Sequence, residues 1–194
     1  MRVADKISAV RIVLAPIFCI VYLLPGSGSA PGAPWTVPVL WIIFIVSELT
    51  DMLDGMAARR LGEVSDFGKL FDPFADTLVQ LSYFLCFVLE GILPVFLFLV
   101  VLYREFGVLF LRNLMLRKGV AQGARMGGKI KTVSYIAAGA AALAASSLRR
   151  LGFPWETERV FFILSRAAPV LFAVSVFFAA LSFADYVRVY RHGA

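Results

Sequence analysis

The chain has 194 residues, of which 60% are hydrophobic and 16% charged, and its formal net charge is +6. Soluble domains sit nearer about 45–50% apolar and about 25% charged, and with a mean hydropathy of +0.84 this chain is too apolar for a water-soluble globule. Most of its solvent is therefore lipid. The positive charge suits an anionic leaflet or phosphorylated substrates. Nucleic acid is not expected as a partner, because the basic residues lie between apolar spans. The length fits a single domain over residues 1–194.

Six apolar stretches follow one another, at about 9–24, 37–57, 71–90, 92–115, 130–147 and 165–185. A helix rising 1.5 Å per residue needs about 20 residues to cross about 30 Å of hydrocarbon, so the expected fold is an all-α integral-membrane domain of six transmembrane helices. The first and fifth stretches are short and would tilt or extend past charged flanks. Residues 1–8 are expected to form a short interfacial helix ahead of the first span. Arg2, Lys6 and Arg11 precede the apolar run Ile12–Leu24, but Pro31 directly after Ala30 makes a poor cleavage context, so the span is read as retained rather than as a signal peptide.

A Gly/Pro/Ser-rich segment around Pro25–Pro38 joins the first two spans. A tight turn at Glu90-Gly91-Ile92-Leu93-Pro94 joins the third to the fourth. Cys19 and Cys86 both lie in apolar stretches and read as small buried hydrophobes rather than a disulfide. The one His, His192, lies in the tail, so a zinc site of His and Cys is not expected.

Lysine and arginine placement orients the spans. Fourteen of the 19 fall on one side, against Arg149, Arg150, Arg159 and Arg166 on the other, with Arg104 inside a span. That bias puts both termini in the cytoplasm and makes 148–164 an outside loop with a solvated charged face.

The acids are unusually placed. The second span ends with Asp51 and Asp54, three apart, and the third begins with Asp72 and Asp76, four apart, so each pair shares a helix face. Asp51 lies about 21 Å along its helix from an outer boundary at Val37, and Asp76 about 21 Å from one at Glu90. Two antiparallel spans then bring both pairs to one level, slightly inside the cytoplasmic interface. One intramembrane Asp costs about 2.5–3.5 kcal/mol, and four together would protonate unless positive charge neutralised them. All-carboxylate ligation selects hard cations, Mg²⁺ or Mn²⁺. Asp66 alone is better read as a helix cap. Pro73 fits the first turn of its helix, where its missing N–H has no partner. Gly55 and Ala58 lie on the face of Asp51, and Gly68 lies four residues before Asp72. These small residues leave room for a ligand or a neighbouring helix to approach.

At these positions the sequence resembles the CDP-alcohol phosphotransferase family, whose motif is D-x2-D-G-x2-A-R-x8-G-x3-D-x3-D. Asp51, Asp54, Gly55, Ala58, Arg59, Gly68, Asp72 and Asp76 fill every fixed position. The resemblance implies two metal ions, one held by Asp51, Asp54 and Asp72 and the second by Asp51, Asp72 and Asp76. It implies that Asp76 is also the general base toward the acceptor hydroxyl. Gly55, Ala58 and Gly68 would lie against the cytidine, with Arg59 near phosphate or the pocket wall, and the active unit would be a homodimer in a bacterial inner membrane.

Arg104-Glu105-Phe106, then Arg112, then Gly128-Lys129-Ile130-Lys131-Thr132, resemble the bacterial phosphatidylglycerophosphate synthase branch of that family, as do Ser8-x2-Arg11 and Pro16. That resemblance implies CDP-diacylglycerol as donor and glycerol 3-phosphate as acceptor, with Arg104, Arg112, Lys129 and Lys131 able to clamp the acceptor phosphate. Internal pairing of Arg104 with Glu48 or Glu105 is the competing role for that side chain. Thr77 stands where the branch has Lys, Ser134-Tyr135 stand near its Gln, and Ala4-Asp5 replace its Pro-Asn. Inositol phosphate, serine, phosphatidylglycerol and amino alcohols stay open as substrates. The alternative of another class is a divalent-cation transporter, since acids within spans also mark ion pathways.

Overall fold

Apolar periodicity becomes six α-helices in a computed structural model that describes residues 3–24, 34–61, 66–118, 126–151 and 158–192. The side chains of 3–7, 51–61, 66–67, 69, 126–129 and 158 lie outside that description. The helices are α1 (Val3–Leu23), α2 (Thr36–Leu61), α3 (Asp66–Leu89), α4 (Val95–Arg117), α5 (Met126–Leu151) and α6 (Glu158–His192), with no strand among the described residues. α1 packs on α2 and α3, α4 on α3 and α6, and α5 along α6.

Small residues set the closest of these packings. Ala138, Ala142 and Ala145 are fully buried on one face of α5, and Ala168, Phe172, Ser175, Ala179 and Ser182 form the buried stripe of α6. Their alternating spacing of four and three keeps one face turned inward, and small side chains let helix backbones approach where lipid supplies no hydrophobic drive. Phe18, Phe44 and Tyr83 make the aromatic centre where α1, α2 and α3 meet.

Every helix also turns large apolar groups outward. Ile20, Ile42, Leu89, Phe96, Val133 and Phe177, one from each helix in order, are all more than half exposed. A surface that apolar marks contact with lipid or protein. Within α6, Arg159–Arg191 is long and apolar enough to cross a membrane, at a mean hydropathy of 2.2 over its most apolar part.

The turn after α3 is as expected. Gly91 takes φ 77°, Ile92 N–H bonds to Phe87 C=O at 2.9 Å, and Gly91 N–H bonds to Val88 C=O at 2.9 Å. This is the Schellman closure, which favours glycine at the left-handed position.

Three sequence expectations need correction. The separate interfacial helix is absent, because α1 runs unbroken from Val3 through a stretch with no Gly or Pro before Pro16. Pro73 lies in the second turn of α3, since that helix already begins at Asp66, and it therefore removes a bond to the Lys69 carbonyl. The segment 148–164, expected to be an outside loop, is helical at both of its described ends, with 148–151 ending α5 and 158–164 starting α6.

At the end of the bundle that holds the α3–α4 turn, one carboxylate gathers four helices. Glu90, its side chain 7% exposed, accepts from the Tyr22 hydroxyl and from Ser146 Oγ at 2.7 Å. Arg149 and Arg150 approach it at 3.4 and 3.9 Å. Arg150 also donates to the Tyr22 carbonyl and to Thr36 Oγ1, at 3.0 and 3.3 Å. Glu90→Ala is expected to lower stability by about 2–3 kcal/mol, through loss of bonds to a charged group. Arg149→Ala, at a 39% exposed side chain, should cost under about 1 kcal/mol. Thermal melting in detergent measures both, and equal losses would show that Glu90 is no hub.

Candidate active site

The opposite end of the bundle collects the residues singled out from the sequence. Pairing α2 with α3 sets the level: the Phe44 and Tyr83 rings meet at 5.4 Å, and Glu48 and Gln80 line the same clefts. The rising numbers on one helix match falling numbers on the other, so the two run antiparallel. From Glu48, Asp51 lies about 4.5 Å further along α2, and from Gln80, Asp76 lies about 6 Å back along α3, in the same direction. The backbone thus brings Asp51 and Asp76 to nearly one level. The side chains of Asp51, Asp54, Ala58 and Arg59, and the region of Gly55, lie outside the described residues.

Asp72 and Asp76 are described, and α1 holds both. Ser8 Oγ donates to Asp72 Oδ1 at 2.6 Å, Arg11 Nη1 donates to Asp76 Oδ1, and Arg11 Nη2 reaches Ser8 Oγ at 3.4 Å. Arg11 is 2% exposed and Asp76 34%. One serine and one arginine, three apart and therefore on one face of α1, thereby tie both aspartates of α3 in place. Gly68 is buried one turn before Asp72. The sequence contained Ser8-x2-Arg11 as a pattern, but nothing local showed that these side chains reach 64 and 65 residues ahead.

Asp76 lines a small cleft together with Arg11, Ser47, Glu48, Val79 and Gln80. No group of three or more metal-ligating side chains occurs among the described residues, which include only the α3 pair of the four aspartates. The donor chemistry still fits a hard cation: Asp72 and Asp76 are carboxylates one helical turn apart on α3, and the cleft beside Asp76 has no thiol or imidazole among its lining residues.

The residues expected to clamp an acceptor phosphate separate into two groups. Arg104 Nη1 and Lys131 Nζ both donate to Glu105 Oε1, at 2.7 and 2.9 Å, and Tyr135 adds its hydroxyl at 3.1 Å. Arg104 Nε also donates to the Ala179 carbonyl at 3.0 Å. Of the two partners weighed for Arg104, the structure selects Glu105. Arg112 instead bonds the Tyr186 hydroxyl at 2.9 Å, eight residues and about 12 Å along α4 from Arg104. Lys129 lies in the first turn of α5, its side chain outside the described residues. Glu105 as the organiser was missed from the sequence, although it sits beside Arg104.

Cys19 and Cys86 are free thiols with their sulfurs 3.5 Å apart, so no disulfide joins them.

An all-helical bundle with paired aspartates on two antiparallel helices, and a buried cation cluster behind them, defines a class. The chain matches the family model described as CDP-alcohol phosphatidyltransferase across residues 1–181, and it belongs to that family of transferases. A protein named CDP-diacylglycerol–glycerol-3-phosphate 3-phosphatidyltransferase from Treponema pallidum (strain Nichols) is 38% identical over 192 residues, 93% of this chain and 88% of that protein. One of the same name from Bacillus subtilis (strain 168) is 34% identical over 187 residues, 94% and 91% of the two chains. A probable phosphatidylglycerophosphate synthase from Mycobacterium tuberculosis is 35% identical over 131 residues, 68% and 60% of the two. Membership in a transferase family sets aside the transporter alternative.

Proposed function

We propose that this enzyme transfers the phosphatidyl group from CDP-diacylglycerol to glycerol 3-phosphate and releases CMP. It would do so as a homodimer in a bacterial inner membrane, on six spanning helices, with its termini and active site cytoplasmic. The observation that carries the reading is the pair Asp72 and Asp76, tied down by Ser8 and Arg11, with Asp76 lining a polar cleft. The full-length relatives bearing that activity in their names support the choice of acceptor, and the outward apolar groups on all six helices support the spans.

Asp51, Asp54, Asp72 and Asp76 would hold two divalent cations, Mg²⁺ or Mn²⁺, which neutralise the diphosphate and stabilise departing CMP. Asp76 takes the proton from the attacking hydroxyl, its carboxylate restrained through Oδ1 by Arg11. Gly55, Ala58, Gly68 and Arg59 bed the nucleotide. Arg104, Arg112, Lys129 and Lys131 serve the acceptor phosphate. Arg104 and Lys131 share one carboxylate, which leaves that cluster a net positive charge to offer an anion.

Purified enzyme with CDP-diacylglycerol and Mg²⁺ or Mn²⁺ is expected to release CMP with glycerol 3-phosphate and not with inositol phosphate, serine or phosphatidylglycerol. Chelation should abolish release, and added metal should restore it. Turnover with another of these acceptors in place of glycerol 3-phosphate would replace the acceptor assignment, and turnover unaffected by chelator would remove the metals.

A further inference from the structure

Cys19 on α1 and Cys86 on α3 lie 67 residues apart in the chain, yet their sulfurs face each other at 3.5 Å. The Cys86 thiol donates to Cys19 Sγ, and the Cys19 thiol donates at 3.7 Å to the carbonyl of Ser82, one turn back along α3. A free cysteine in an apolar helix commonly acts only as a small hydrophobe. Two thiols aimed at one another from different helices are instead a reactive pair, because a disulfide needs the sulfurs to close to about 2.0 Å.

The two thiols differ in access. Cys86 is 1% exposed, whereas Cys19 is partly exposed, at the edge of the outward face that holds Ile20 and Leu23. Cys86 lies four residues, or about 6 Å, inside the outer boundary at Glu90. On the six-span reading the pair therefore sits in hydrocarbon, where an apolar oxidant concentrates and a water-soluble one does not. An organic hydroperoxide, of the kind an oxidised acyl chain carries, fits that position. An accessible thiol with a second thiol beside it is the arrangement in which a first oxidation product is captured as a disulfide.

We infer that Cys19 and Cys86 form a reversible disulfide in response to lipid hydroperoxides, and that this bond slows the transfer reaction. Cys19 Sγ attacks the terminal peroxide oxygen and the O–O bond breaks. The Cys19 thiol proton goes to the departing alkoxide, which leaves an alcohol and a sulfenic acid on Cys19. Cys86 Sγ then forms the S–S bond and displaces the sulfenic hydroxyl, which leaves as water with the Cys86 thiol proton. Two thiols are oxidised and one hydroperoxide is reduced. The link to the active site runs through α1, since the same two helices set Ser8 and Arg11 against Asp72 and Asp76. Arg11 is eight residues, or about 12 Å, from Cys19. Closing the sulfurs by about 1.5 Å draws α1 toward α3, and a misplacement of about 1 Å can cost about 10²-fold in rate.

The test uses the full chain in vesicles of saturated phosphatidylcholine and phosphatidylglycerol, treated with cumene hydroperoxide or with hydrogen peroxide at equal concentration. Cumene hydroperoxide is expected to remove two hydrogen atoms from the intact mass and to yield a peptide cross-linked through Cys19 and Cys86. The denatured protein should then no longer take up N-ethylmaleimide. CMP release, with whichever acceptor the enzyme uses, should fall by roughly tenfold or more and return with dithiothreitol. Hydrogen peroxide should act several times more slowly. Cys86→Ser should let Cys19 run on to sulfinic acid. Cys19→Ser should leave Cys86 open to the label and CMP release resistant to the hydroperoxide. Wild-type thiols that stay open to the label, or equal rates with both oxidants, would overturn the inference. So would a disulfide that leaves CMP release unchanged. The cross-link is read without substrate, so wild-type protein tests it even if a variant fails to fold, and a wrong acceptor assignment would not disturb it.

Discussion

Asp76→Asn is expected to lower CMP release by roughly three orders of magnitude or more, since loss of a general base alone accounts for about 10²–10⁴-fold and loss of an anionic metal ligand adds to it. Asparagine keeps the shape of the side chain and its acceptor oxygen, so Arg11 can still donate to it. What it loses is the charge and the capacity to take a proton. The same substitution removes the charge partner of a guanidinium that is 2% exposed, so a modest fall in melting temperature should accompany the loss of activity. Single-turnover measurement of CMP release, alongside thermal melting, separates the two effects. Turnover within tenfold of wild type in a folded protein would reject Asp76 as the base. Ser8→Ala provides the contrast: it removes a bond to Asp72 but no ligand, and should cost far less activity.

The parts of this site that were legible in the sequence are those fixed by short-range spacing. Asp51 with Asp54, and Asp72 with Asp76, are separated by one helical turn, so a shared face follows from helix geometry. The Gly91 turn was legible for a similar reason, because a left-handed residue between two apolar runs favours glycine. Helix ends were less so. α1 starts at Val3 and α6 at Glu158, earlier than hydropathy suggests, because a helix continues through charged residues as long as its backbone bonds close, and hydropathy registers only the part in lipid. The long-range partners were not legible at all. Ser8 with Asp72, Arg11 with Asp76 and Lys131 with Glu105 join different helices, and no periodicity in one chain segment reports the side chain facing it from another. Arg104 is the instructive case. A neighbour at i+1 does not normally share its helix face, so the spacing alone could not choose between Glu48, Glu105 and an acceptor phosphate. Two long side chains nevertheless reach each other at 2.7 Å inside the bundle.

Glu105→Ala should be among the most destabilising single substitutions in the chain. Glu105 is 4% exposed, and its Oε1 accepts from Arg104, Lys131 and Tyr135. The side chains of Arg104 and Lys131 are 7% and 13% exposed, so truncating their partner leaves two cations buried without it. Breaking a buried pair from one side costs about 3–5 kcal/mol. For a chain of this length, about 2–4 °C per kcal/mol on the scale of soluble domains, that predicts a fall in melting temperature of roughly 6–20 °C. Glu105→Gln keeps an acceptor for Tyr135 while losing the charge, and should fall between. The decisive comparison is the double variant Glu105→Ala with Lys131→Met. Removing one of the stranded cations should recover part of the loss, so the two substitutions should cost less together than their separate effects add up to. Strict additivity would mean that Lys131 does not depend on Glu105, and the cluster would then be two separate contacts rather than one network. Activity gives an independent check: if the cluster receives the acceptor phosphate, Glu105→Gln should change KM for glycerol 3-phosphate far more than KM for CDP-diacylglycerol.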